Sequence, residues 1–90
     1  MKVEKYRKKP VVIEAIEFKG KENWSEVNTF IGDSFVSIAE NDDGTATLGL
    51  KTLEGTLYGF QGDFIIRGVK GEIYACKPDI FALTYEKAGE

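Results

Sequence analysis

A chain of 90 residues with 42% hydrophobic and 12% aromatic residues has room for one small core and little else. One cysteine excludes an internal disulfide, and the absence of histidine excludes Ser-His-Asp and Cys-His catalysis and most zinc or non-haem iron sites. The net charge of −3 is unevenly spread: Lys2, Lys5, Arg7, Lys8 and Lys9 face only Glu4 in the first nine residues, which leaves −7 on the rest. So acidic a body disfavours broad nucleic-acid binding, because phosphate contacts need a cationic face.

The basic start, residues 1–9, resembles a signal n-region only superficially. The apolar run that follows is broken by Glu14 and Glu17, which a secretory segment does not tolerate. No apolar run approaches the ~20 residues of a membrane helix. A reducing, cytoplasmic setting without membrane contact is therefore expected.

Val11 to Phe18 alternates with period two and predicts a strand covered on both faces. Asn23 followed by Glu26 has the spacing of a capping box. Trp24, Val27, Phe30 and Ile31 then recur at helical spacing until Gly32 stops the run.

From Phe35 the signals are β. Asn41-Asp-Asp-Gly44 is a reverse-turn cluster, and it lacks the downstream glutamate of a calcium loop, since Leu50 stands there. Ala46, Leu48 and Leu50 alternate with polar or small residues. Turns at Glu54-Gly55, Gln61-Gly62-Asp63 and Lys70-Gly71 separate Thr56–Phe60, Phe64–Arg67 and Glu72–Cys76. Pro78 and Asp79 open a C-terminal helix carrying Ile80, Phe81, Leu83 and Tyr85, with residues 87–90 expected to fray. The predicted fold is α+β: about six short antiparallel strands in a meander sheet or partly open barrel, with two short helices, as a single domain over residues 1–90.

Chemistry is thin. Cys76 on a strand with apolar alternate neighbours reads as core. Arg67, Lys70 and Lys77 surround the last hairpin, and their convergence would suit an anion such as a nucleotide phosphate or a partner carboxylate. The same charges suit a solvated hairpin. Tyr74 and Tyr58, flanked by small residues, are the tyrosines expected to be exposed, and Trp24 and Tyr85 are further candidates for a contact surface. Arg67, Lys70, Tyr74 and Lys77 are thus the candidate binding residues. Reversing the charge of Arg67 and Lys70 is expected to abolish binding and spare the fold. An edge strand in so small a sheet invites self-association, so a homo-oligomer is expected. No motif calls for a cofactor or a metal.

Two runs carry a family likeness. Lys5-Tyr-Arg-Lys-Lys-Pro-Val-Val-Ile-Glu-Ala15, together with Gly62-Asp-Phe-Ile-Ile-Arg-Gly-Val-Lys-Gly-Glu72 and Cys76-Lys-Pro-Asp-Ile-Phe81 with Thr84-Tyr-Glu86, resembles small proteins of tailed bacteriophages and prophages. Such proteins often carry Pro before the Gly-Asp and Trp after it, where Gln61 and Phe64 stand here. The resemblance implies an origin and the cytoplasm of an infected or lysogenic bacterium, and it assigns no catalytic residues. Small phage accessory proteins of this size more often bind than catalyse, so the expectation is a protein that binds a host component, either a protein or a small anionic nucleotide, and so modifies host physiology or antagonises defence. A minor virion or assembly protein is one alternative. A carboxylate- or metal-dependent hydrolase using Asp63, Glu72 and Asp79 is another.

Overall fold

The computed structural model describes residues 2–88. Six strands are present: β1 (Glu14–Glu17), β2 (Phe35–Glu40), β3 (Ala46–Thr52), β4 (Gly55–Phe60), β5 (Phe64–Arg67) and β6 (Ile73–Cys76). Helix α1 spans Trp24–Ile31 and α2 spans Pro78–Thr84. The strands form two antiparallel three-stranded sheets, β1-β5-β6 and β2-β3-β4, called A and B here, and neither closes into a barrel. The α+β class read from the sequence holds. The single meander does not, because β4 and β5 are consecutive yet lie in different sheets.

The crossing occurs at Gln61-Gly62-Asp63, whose three N–H groups all donate to backbone carbonyls. The Gly62 N–H donates to the Phe18 carbonyl at 2.7 Å, and the Phe18 N–H to the Asp63 carbonyl at 2.8 Å, so the β1–β5 ladder runs on through Phe18. The predicted strand from Val11 is shortened at its other end to Glu14. Its partner strand ends at Arg67, since the Gly68 N–H turns to the Glu72 carbonyl at 2.8 Å, and Val11–Ile13 therefore have no ladder to join.

Helix α1 begins one residue after Asn23, as its periodicity predicts, but Asn23 does not cap it. The Asn23 side chain instead accepts from the Lys19 N–H at 2.9 Å and donates to the Glu17 carbonyl at 2.7 Å, fastening the end of β1 across a 3₁₀ turn, Gly20–Asn23. Gly32, at φ 52°, ends α1 in a left-handed conformation that glycine adopts at little cost.

The core lies between the sheets under α1. Phe18, Val27, Ile31, Ala46, Leu48, Leu50, Ile65 and Ile73 are buried there, flanked by Ile16, Trp24, Phe30 and Ala75. Gly59 marks the closest approach of the sheets: a Cβ at that position would lie 3.2 Å from the Ile65 methyl Cδ1 and 3.4 Å from the Ala75 Cβ. Ile66 is fully buried but stands outside this cluster, on the opposite face of sheet A. That face has its own cover.

Candidate functional site

Cross-strand register decides which side chains share a face, since neighbours along a strand alternate. Glu17 lies opposite Phe64, Ala15 opposite Ile66, Ile66 opposite Tyr74 and Phe64 opposite Cys76, so these residues make up the outer face of sheet A. Helix α2 covers part of it. The Phe81 ring stacks on Phe64 with centroids 4.0 Å apart, and Tyr85 leans on Phe81 at 5.1 Å. Pro78 starts α2 where a missing N–H costs nothing, which sets the helix directly after β6 and points Phe81 back at the sheet.

Between α2 and the unpaired Val11–Ile13 a groove remains. It encloses about 320 Å³ over Ala15, Phe64, Phe81 and Tyr85, with 11–13 along one side and Glu86, Lys87 and Ala88 along the other. Lys8 reaches the Tyr85 ring, its ammonium 5.3 Å from the centroid. The Tyr85 hydroxyl lies 3.4 Å from that of Tyr74. Burial, reinforced by this contact, pushes the Tyr74 phenol up to about 12. An aromatic floor with a cation at one end can stack a flat ring and neutralise an attached anion.

The four residues singled out from the sequence are not brought together. Arg67, at one end of β5, donates to Glu14 and to the Phe30 carbonyl in the last turn of α1, and its guanidinium covers the Phe30 ring at 4.3 Å. It ties α1 to sheet A and complements the helix dipole, so reversing its charge removes a structural bond and is expected to cost stability as well as any binding. Lys70 sits exposed in the β5–β6 turn, its N–H bonded to the Glu72 carboxylate at 3.0 Å. Lys77 is at the other end of the hairpin, roughly 13 Å from Arg67 at ~3.3 Å per residue. It pairs with Asp63 at 3.3 Å and lies over the Phe60 ring at 4.6 Å. Tyr74 is half-buried on the outer face, not exposed as its small neighbours suggest, and through Tyr85 it is the one member of the set that borders the groove.

Three carboxylates named as a hydrolytic alternative are also dispersed. Asp63, only 4% exposed, accepts from the Phe60 N–H at 2.8 Å and faces Lys77, while Glu72 closes the turn at the opposite end of β5–β6. Asp79 accepts from the Ile80 N–H in the first turn of α2. Among the described residues no three His, Cys, Asp or Glu side chains are grouped to hold a metal ion. No helix among them is long and apolar enough to cross a membrane.

Comparison of the chain with family models, curated proteins and solved structures returned no match. The site has to be judged on its own geometry.

The groove escaped the sequence because its parts are distant in the chain: residues 11–15, 64 and 81–88 meet only once β1 pairs with β5 and α2 folds back. One signal for it was present. Val11, Val12 and Ile13 are apolar on both sides of the chain, more than a short edge strand needs, and here they flank a hollow. A second apolar surface lies on sheet B. Its outer face, where Tyr58 is opposite Gly49 and Phe60 opposite Thr47, is covered by no helix or strand among the described residues, only Lys77 reaching the Phe60 ring, and Tyr58 is 57% exposed.

Proposed function

We propose that this chain is a non-enzymatic, phage-encoded accessory protein that binds a host component in the groove on sheet A, and that this component is a small anionic ligand of the nucleotide type. The observation that carries the reading is the groove itself. Its volume of about 320 Å³ lies at the lower end of the range common to small-ligand sites, roughly 300–1,000 Å³. Phe64, Phe81 and Tyr85 offer the flat apolar surface on which a base stacks, and Lys8 supplies positive charge beside Tyr85. Holding a phosphorylated signalling nucleotide out of solution is enough to antagonise a host defence, and it requires no chemistry from the protein. The resemblance to bacteriophage proteins supplies the cytoplasmic setting for this role.

Native mass spectrometry and calorimetric titration with a panel of mono-, di- and cyclic nucleotides test the reading. Binding is expected for at least one of them, and Phe81→Ala is expected to weaken it about tenfold or more, since base–aromatic stacking is worth roughly 1–3 kcal/mol. Lys8→Ala, a change at the surface, should weaken it while leaving the fold unaltered. Failure of every nucleotide in the panel to bind removes the proposal.

The bare outer face of sheet B favours a second reading, a host protein blocked by direct contact. Tyr58 and Phe60 are the anchors it offers, and aromatic residues commonly carry such interfaces. Capture of a host protein by the wild type and loss of that capture in Tyr58→Ser would favour it over the nucleotide.

A further inference from the structure

Most of the basic segment that precedes β1 has no partner among the described residues. Residues 2–12 are exposed and form no strand or helix. Val3 and Tyr6 are 88% and 90% exposed, so their apolar surface stays in water. Lys2 pairs with its neighbour Glu4 and Lys8 lies over Tyr85, but Lys5, Arg7 and Lys9 meet no carboxylate among the described residues. The chain is also less compact than its length requires: the radius of gyration is 14.7 Å, against the roughly 12 Å of a compact chain of this length.

The body carries the complementary charge. Glu17, Glu22 and Glu26 have no cationic partner among the described residues. Glu17 and Glu22 line a polar hollow of about 470 Å³ with Thr45, Gln61 and Gly62, and Lys19 also lines it. Glu26 lies in the first turn of α1, close in the chain to Glu22 of the preceding 3₁₀ turn. Direction matters as well. The arm leaves β1 at its Glu14 end while the hollow opens at its Glu17 end, so an arm that continues the strand runs away from the hollow of its own chain.

We propose that this arm docks on a second copy of the chain, Lys5, Arg7 and Lys9 of one copy against Glu17, Glu22 and Glu26 of the other, in a reciprocal two-fold dimer. The exchange sets the three cations Lys5, Arg7 and Lys9 of each copy against three carboxylates of the other's acidic body and gives Tyr6 and Val3 a surface to cover. It is independent of the ligand proposed for the groove, because Lys8 takes no part in it.

Sedimentation velocity and native mass spectrometry read the outcome directly. At about 0.01 M salt the wild type, 10.0 kDa per chain, is expected at twice that mass. It should fall to the monomer near 1 M, where the screening length drops from about 30 Å to about 3 Å. Lys5→Glu with Arg7→Glu should be monomeric at both, as should Glu22→Lys with Glu26→Lys. Mixing these two variants should restore a heterodimer by joining reversed arm to reversed body. The arm variant leaves every strand and helix untouched, so its circular dichroism should match the wild type. A monomeric wild type at low salt, a dimer that survives the arm reversal, or a mixture that fails to pair would each overturn the proposal.

Discussion

Sheets A and B have the same number of strands and the same antiparallel pairing, yet they are finished differently. Sheet A is covered on both faces, by the core on one side and by α2 with residues 11–13 on the other, and the imperfect fit of that second cover leaves the groove. Sheet B is covered on one face only, with Leu48 and Leu50 buried beneath it and Tyr58 and Phe60 left outside. The main core of a chain this small is itself small, and many large apolar side chains, Leu57, Tyr58 and Leu83 among them, stay exposed. A second layer can then be afforded over only one of the sheets, and surfaces for other molecules arise where that layer is thin or missing.

The largest effect that sharpens this comparison is at the shared core. Leu48→Ala removes a fully buried side chain from the inner face of β3 and is expected to cost about 2–5 kcal/mol, a large part of the stability of a domain of this size. Tyr58→Ser, on the opposite face of the same sheet, should stay within about 0.5 kcal/mol. Urea denaturation of the two variants measures the contrast, and equal losses would mean that the outer face is covered after all.

A smaller effect is expected where the chain crosses between sheets. Asp63→Ala leaves the Phe60 N–H without its acceptor and should cost about 1–3 kcal/mol. Asp63→Asn keeps an acceptor and loses only the partner of the half-exposed Lys77, for about 0–1 kcal/mol. If both substitutions cost the same, the ion pair and not the turn hydrogen bond holds the crossing.

The smallest effect is alkaline. Tyr74 keeps its proton up to about 12 in the folded chain, above the ordinary value of 10.0, so the native state holds a proton that the unfolded state releases. Stability from this source is complete below pH 10 and is lost as pH rises towards 12. Tyr74→Phe should flatten that decline in pH-dependent denaturation, and tyrosinate absorbance should show one fewer late-titrating phenol.

Local signals carried far in this chain. The apolar spacing of Trp24, Val27, Phe30 and Ile31 gave α1, and the alternation of Ala46, Leu48 and Leu50 gave the buried face of β3. Asn41-Asp-Asp-Gly44 formed its turn, with the Gly44 N–H on the Asn41 carbonyl at 3.0 Å. There the Thr45 hydroxyl and N–H hold the Asp43 carboxyl below its usual value. What local pattern could not give was partnership. Asn23 has the residue type and spacing of a cap, but the Glu17 carbonyl offered it a better bond. Arg67 reads as a free surface cation because Glu14 and the Phe30 carbonyl are remote in the chain. Cys76, read as core, is half-buried on the outer face opposite Phe64.

The pairing of β1 with β5 sets an order of assembly. Sheet B is built from neighbours, its strands joined by short turns at 41–45 and 53–54, whereas the bond between Glu14 and Arg67 spans 53 positions. Contacts of such long separation bear the greatest loop-closure cost and form late. The pairing partners of β2, β3 and β4 all lie within residues 35–60, whereas the first strand must wait for residue 67. The hollow beneath α2 is then the last part of the molecule to acquire its shape.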